Sequence, residues 1–303
     1  MSFRLARPRL DCQRPAANVS TRMASDPNAA PVLFDRTLLA QRQARAARLG
    51  PATFLIDRVI EDLDERLAAV NRRFAAVIDI WTPGEGVLPC DRFKSASRLA
   101  LADAPQEELR LAPGSFDLAV SALAFQFVND LPGVLAQIRR ALKPDGLLLA
   151  AMIGGETLTE LRESFAAAEA ECEGGVSPRV APFADVRDLG QLLQRAGLAL
   201  PVTDVEHLVV RYADAFALMS DLRRMGATNI LLERRRTPTR RATLLRMAQI
   251  YGERFADADG RIRATFDVIW LSAWAPHESQ PKPLKPGSAQ ASLEAAVKKA
   301  GKS

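Results

Sequence analysis

The sequence predicts an α/β fold with a mostly parallel sheet. Three observations lead there. Runs of strand length at 74–81, 116–121 and 147–153 are apolar almost throughout, as strands buried on both faces are. Segments with helical spacing alternate with them. Tight turns such as Lys143-Pro144-Asp145-Gly146 separate the two, which is the pattern of βαβ units.

Each element has its own signal. Residues 32–47 read as a helix stopped by Gly50-Pro51. Residues 52–70 repeat an apolar residue every fourth position at Leu55, Val59, Leu63 and Leu67, a second helix. The strand at 74–81 is broken by Thr82-Pro83-Gly84-Glu85-Gly86, and residues 98–102 form a short strand before Asp103. After the strand at 116–121, Asp130-Leu131-Pro132 opens a helix through Leu142, since proline suits a first turn. Helices follow at 157–172 and 184–196, an alternating strand at 203–211, a basic helical stretch at 213–256 and a late strand at 264–274. The last two strands pair, with the helical stretch inserted between them.

Three units result: a disordered or over-extended start at 1–30, one domain at 31–276, and a largely flexible tail at 277–303. Residues 1–22 are rich in arginine with a single acid, Asp11, as a mitochondrial presequence is, and Met23 offers an alternative start. The alanine- and arginine-rich composition fits a bacterial cytoplasmic protein, with the mitochondrial matrix as the alternative.

The 303 residues carry 41 basic and 36 acidic side chains, a net charge of +5. The excess sits largely at the two ends without interleaved aromatics, so no nucleic-acid face is expected. No apolar run approaches the roughly 18 residues of a membrane span. Three separated cysteines lack metal-ligand spacing, and two histidines among scattered carboxylates form no iron triad, so no metal is expected.

The motifs then narrow the fold class. Asp79 and the glycines Gly84 and Gly86 form an acid and turn at the end of the first strand, where a ligand needs bare backbone. Pro113-Gly114-Ser115-Phe116-Asp117 precedes the next strand, and Lys143-Pro144-Asp145-Gly146 the one after. Further on come Gly154-Gly155-Glu156-Thr157, Glu173-Gly174-Gly175-Val176-Ser177-Pro178-Arg179, Met225-Gly226-Ala227-Thr228-Asn229 and His277-Glu278-Ser279-Gln280. This set, in this order, resembles the class I S-adenosylmethionine (SAM) methyltransferases of the type 11 group. It is similar above all to the methyltransferase-like assembly factors of respiratory complex I.

The resemblance implies a Rossmann-like class I methyltransferase fold, a mostly parallel sheet with an antiparallel last strand. It implies SAM as cofactor, held by Asp79, Gly84, Gly86 and Asp103. It implies a complex I subunit as partner, and either methyl transfer or arginine hydroxylation. Asn129, Asp130, Gly154 and Gly155 are the implied substrate residues, and Gln126 and His277 the catalytic candidates. Gln126 stands where the family commonly has histidine. Two alternatives remain: a catalytically inactive assembly chaperone, and an acyl-thioester methyltransferase of biotin synthesis, which shares the middle motifs but does not account for the segments at 173–179 and 277–280.

One region departs from the pattern. The family places a helix, a second strand and another helix after the first strand, and the acid ending that second strand binds the ribose. Here only residues 82–97 separate the first strand from the next. A single crossover uses at least about 10–12 residues, so two crossovers and a strand do not fit. The second-strand region is shortened, and Asp91, Asp103, Glu107 and Glu108 are the acids left near it.

Overall fold

The computed structural model describes residues 32–84, 86, 95–103 and 106–281. The expectations for the N-terminal stretch, for Asp91 and for the tail beyond residue 281 lie outside them.

The chain opens with α1 (Arg36–Leu49) and α2 (Phe54–Ala69). The first helix starts four residues later than its periodicity suggests. Phe34 is held in a bridge with Leu231, and the Asp35 side chain caps the helix by accepting from the Leu38 amide. Then follow β1 (Ala76–Ile80), β2 (Ser95–Leu99), β3 (Phe116–Ala122), α3 (Leu131–Ala141) and β4 (Leu142–Gly154). The second half contains α4 (Thr159–Glu173), α5 (Val186–Arg195), β5 (Ala199–Tyr212), α6 (Ala215–Arg224), α7 (Arg241–Phe255) and β6 (Ile262–Trp274).

The six strands form one sheet in the order β2-β1-β3-β4-β6-β5. The pairs β1–β2, β1–β3 and β3–β4 are parallel, and β6 runs antiparallel to both β4 and β5. This is the predicted class. The alternation of side chains explains the two-sided burial. Leu118, Val120 and Ala122 of β3, with Leu147 and Leu149 of β4, face a core closed by α2, α4, α6 and α7. Ala119, Leu148, Ala150 and Met152 face a second core closed by α3 and α5.

Two expectations change. The turn at Lys143–Gly146 is absorbed into β4, with the register against β3 shifting between Phe116 and Leu118 and Asp145 at φ +61°. The stretch at 213–256 is helical only in part, as α6 and α7. Gly226 at φ +72° ends the first, and residues 225–240 cross to the second without helical structure.

The shortened region is visible directly. β2 pairs with β1 from Ala76↔Ser95 to Ile80↔Leu99 and is the outer strand of the sheet. It is polar and exposed, Ser95-Ala96-Ser97-Arg98-Leu99, as an unpaired edge tends to be. Among the described residues no helix is long and apolar enough to cross a membrane.

Candidate functional site

The carboxyl ends of β1, β3 and β4 meet at one end of the sheet, where open α/β sheets bind ligands. Asp79 is buried near the end of β1 and accepts from the Thr82 hydroxyl at 2.5 Å. That hydroxyl in turn accepts from the Ala122 amide at 3.0 Å, tying the turn to β3. Gly86 has φ +93°, and a Cβ there would lie 2.6 Å from Asp79 Oδ2. This glycine is needed because the acid packs against its backbone. Gly84, at φ +72°, borders open space.

Arg98 stands beside Asp79 in the β1–β2 register. It donates to the carbonyls of Thr82 (2.9 Å) and Gly84. So a guanidinium closes the glycine turn on the edge where the family's ribose carboxylate belongs. Asp103, implied as a cofactor ligand, is exposed, and its side chain accepts from the Ala100 amide of its own turn at 3.1 Å.

Sequence reasoning missed a neighbouring cluster. Arg36 opens α1 and is buried, although a cation at a helix N-terminus faces the wrong end of the dipole. That misplaced charge was the signal. Its guanidinium lies 4.2 Å over the centroid of the Trp81 ring and pairs with Glu107 at 3.2 Å. Burial pushes the Arg36 pKa down, and Glu107 acts against that. Trp81 is buried at φ +61°, and Glu107 sits at φ +65°, conformations that non-glycine residues adopt at a cost of order 1–3 kcal/mol each. Three buried donors in this stack, Arg36 Nε and Nη2 and Trp81 Nε1, have no hydrogen-bond partner among the described residues.

Glu107 also organises the predicted substrate residues. Its carboxylate accepts from the amides of Asn129 and Asp130, both at 2.8 Å. Asn129 Oδ1 accepts from the amides of Leu33 and Phe34, also at 2.8 Å. Asp130 caps α3 by accepting from the Gly133 amide at 2.9 Å. Both side chains are thus occupied in holding the chain together. Gly154 and Gly155 are likewise packed from behind, by Ile269 and Asp267. Asp267 fixes the following turn by accepting from the Glu156 amide at 2.8 Å and meets His207 Nδ1 at 2.7 Å.

Gln126 does reach open space. It lies in the single-turn 3-10 segment Phe125–Phe127, donates to the Leu123 carbonyl at 2.8 Å and lines a cavity of about 300 Å³. Phe127, Ile153, Leu158, Phe165, Met219 and Phe266 form much of its apolar wall. The Glu173–Arg179 motif builds one side. Glu169 of α4 accepts from Ser177 (amide 2.7 Å, hydroxyl 2.8 Å) and pairs with Arg179, which stacks over Phe165 at 5.0 Å. Burial raises the Glu169 pKa, but the bonds from Ser177 and Arg179 outweigh it and hold it below the ordinary range.

His277 is not brought here. It is exposed, bonded to Ser279 Oγ at 2.7 Å, in the segment after β6. The strand end beside it, Trp274, pairs with Leu147 near the start of β4, so His277 lies at the opposite end of the sheet.

As a test of the implied cofactor, the two halves of the site differ. The buried unpartnered donors of Arg36 and Trp81 suit the carboxylate of SAM's methionine part, and Gly84 leaves bare backbone. Among the described residues, the edge of β2 presents Arg98, a donor, on the ribose side. The methionine half therefore fits.

The family model described as a methyltransferase domain matches residues 68–150. A relative, "Arginine-hydroxylase NDUFAF5, mitochondrial" of Danio rerio, is 35% identical over 293 residues, covering 89% of this chain and 91% of its own. The Homo sapiens protein of that name is 35% identical over 301 residues, covering 91% and 86%. A malonyl-[acyl-carrier protein] O-methyltransferase of Xylella fastidiosa is 34% identical over 254 residues, covering 80% and 83%. The fold and domain are those of the SAM-dependent methyltransferases. Within them, the chain belongs to the NDUFAF5 family.

Proposed function

We propose that this protein is a SAM-dependent enzyme that acts on a protein subunit during assembly of respiratory complex I. The observation that carries the reading is an open, largely apolar cavity with Gln126 on its wall, at the same end of the sheet as the unpartnered donors of Arg36 and Trp81. The family membership supports the assembly role, because the relatives carry that family's name.

When bound, SAM supplies an electrophilic methyl group on a sulfonium. This chain's residues supply position. Arg36, fixed by Glu107, would hold the carboxylate at the methionine end. The bonds among Asp79, Thr82 and Ala122 keep the turn from moving. Gln126 offers an amide to orient an acceptor, and the apolar wall excludes water. Holding reactants in line supplies much of the rate in such a transfer, so no acid–base pair is required. Hydroxylation of an arginine is the finer alternative that the relatives' name suggests. We place the working domain at residues 31–276, in the compartment where the subunit is assembled, the bacterial cytoplasm or the mitochondrial matrix.

A second reading, a non-catalytic assembly chaperone, is favoured by Arg98 at the ribose edge. Calorimetric titration of SAM into the full-length protein separates the two. The enzyme reading expects one SAM per chain, and no binding at millimolar SAM would leave the chaperone. Recovery of complex I subunits in a pull-down with the purified protein tests the assembly role, and their absence would count against it.

A further inference from the structure

The mouth of the cavity is lopsided in charge. Arg42, Arg179, Arg223, Arg234 and Arg235 reach the wall, and none of the residues that line it is an aspartate or glutamate. Three of these arginines are already paired: Arg179 with Glu169, Arg235 with Glu173, and Arg234 with Asp35 at 3.4 Å.

Beyond those pairs, the positive charge continues along residues 225–240, which join α6 to α7. Arg236 and Arg240 are exposed there and form no ion pair among the described residues. Arg240 is close enough to Glu173 to act on its carboxyl, alongside Arg235. Arg42 of α1, half-buried, and Arg223 of α6, exposed, form no ion pair among the described residues either. Arg42 donates to the Asn229 carbonyl and stands near Arg234. Glu233 is the only acid in the sequence from 225 to 240.

Neighbouring like charges repel, so this rim costs the fold stability. A cleft lined by one sign of charge focuses its field and gathers partners of the other sign. A single small anion reaches only part of the rim, because its arginines come from α1, α6 and the connection. A polypeptide with several carboxylates can answer them together. Leu33 and Leu232 are exposed beside them, joined by a backbone hydrogen bond of 2.9 Å, and suit apolar residues between the carboxylates. Residues 225–240 contain no aromatic side chain on which a base could stack, which disfavours a nucleic acid.

We propose that the arginine rim is a docking surface for an acidic stretch of polypeptide, the part of a protein substrate that flanks the residue presented to the cavity. This rests on the reading of the protein as acting on a protein subunit. The carboxylates belong to the rim and not to the cavity. A basic guest, such as the arginine of the hydroxylation reading, then enters with its charge offset by its own acidic flank.

Fluorescence anisotropy on the full-length protein at physiological salt tests this. The probe is a labelled peptide of alternating glutamate and alanine, set against one with lysine in place of glutamate. The glutamate peptide is expected to bind, and to weaken as salt rises, while the lysine peptide does not bind. Arg236→Gln combined with Arg240→Gln is expected to weaken binding about three- to tenfold, the scale of two exposed ion pairs. Arg187→Gln combined with Arg195→Gln removes the same charge from α5, on the other face of the sheet, and is expected to leave the affinity unchanged. Unchanged binding in the rim variant, or equal loss in both variants, would overturn the proposal. So would no binding of the glutamate peptide, or binding of an oligothymidylate or of phosphatidylglycerol vesicles as tightly as the peptide. Titrating SAM in parallel separates the two claims. SAM binding without peptide binding defeats only the docking surface, and peptide binding without SAM binding defeats only the SAM-dependent reading.

Discussion

The edge built by β1 and β2 and the cavity framed by α4 and α6 treat their polar groups in opposite ways. At the edge, charges are turned onto the chain's own backbone. Arg98 spends its donors on the Thr82 and Gly84 carbonyls, and Asp103 caps its own turn. At the cavity, Glu169 and Glu173 hold Arg179 and Arg235 from outside, while Arg42 and Arg223 keep cationic character toward the opening. The difference teaches where a shortened chain can still bind. At the edge, the side chains of Arg98 and Asp103 are engaged in local bonds. Beside it, buried donors of Arg36 and Trp81 have no hydrogen-bond partner among the described residues.

Substitutions can break that comparison one side at a time. The largest effects are expected from Glu107→Ala and Glu169→Ala. Each leaves a buried or partly buried arginine without its partner, a loss of about 3–5 kcal/mol in chemical denaturation. Their effects on SAM should divide: Glu107→Ala weakens SAM binding, and Glu169→Ala leaves it unchanged. If both variants weakened SAM equally, the two regions would not be separate.

Acid should destabilise the cavity side through Glu169. The folded pKa of Glu169 is held below its unfolded value, so its contribution is fully present above the ordinary carboxylate pKa of about 4.3. It is lost as pH falls from there through the lower folded pKa. Glu169→Gln should flatten the stability profile in that window. An unchanged acid limb would contradict the assignment.

A smaller effect is expected from Arg98→Ala, about 1–3 kcal/mol, from two backbone carbonyls left without their donor. Hydrogen exchange should rise at Thr82, Gly84 and Gly86 and stay unchanged around Arg179. The smallest is His277→Ala. It should leave SAM affinity unchanged by calorimetry, because the side chain lies at the other end of the sheet.

Much of the fold was legible because its strands are apolar on both faces and its helices are periodic. The limits came from tertiary contacts. The start of α1 is set by a bridge to Leu231, nearly two hundred residues away, and no local pattern carries that. The break at Gly226 inside the basic stretch was readable from glycine alone, yet arginine-rich composition masked it. The site was less legible. Asp79, Gly84 and Gly86 fall together as expected, and Gln126 faces the cavity. Asn129 and Asp130 proved to be a strap and a cap, since their types serve both roles. Arg36 and Glu107 could not be paired from sequence, lying seventy-one positions apart.

The central claim is that the methionine end, and not the ribose edge, holds the cofactor. Calorimetric titration of the full-length protein with SAM and, separately, with adenosine tests it most directly. The account predicts binding of SAM and no detectable binding of adenosine. Adenosine binding as tightly as SAM, or no binding of SAM at all, would contradict it.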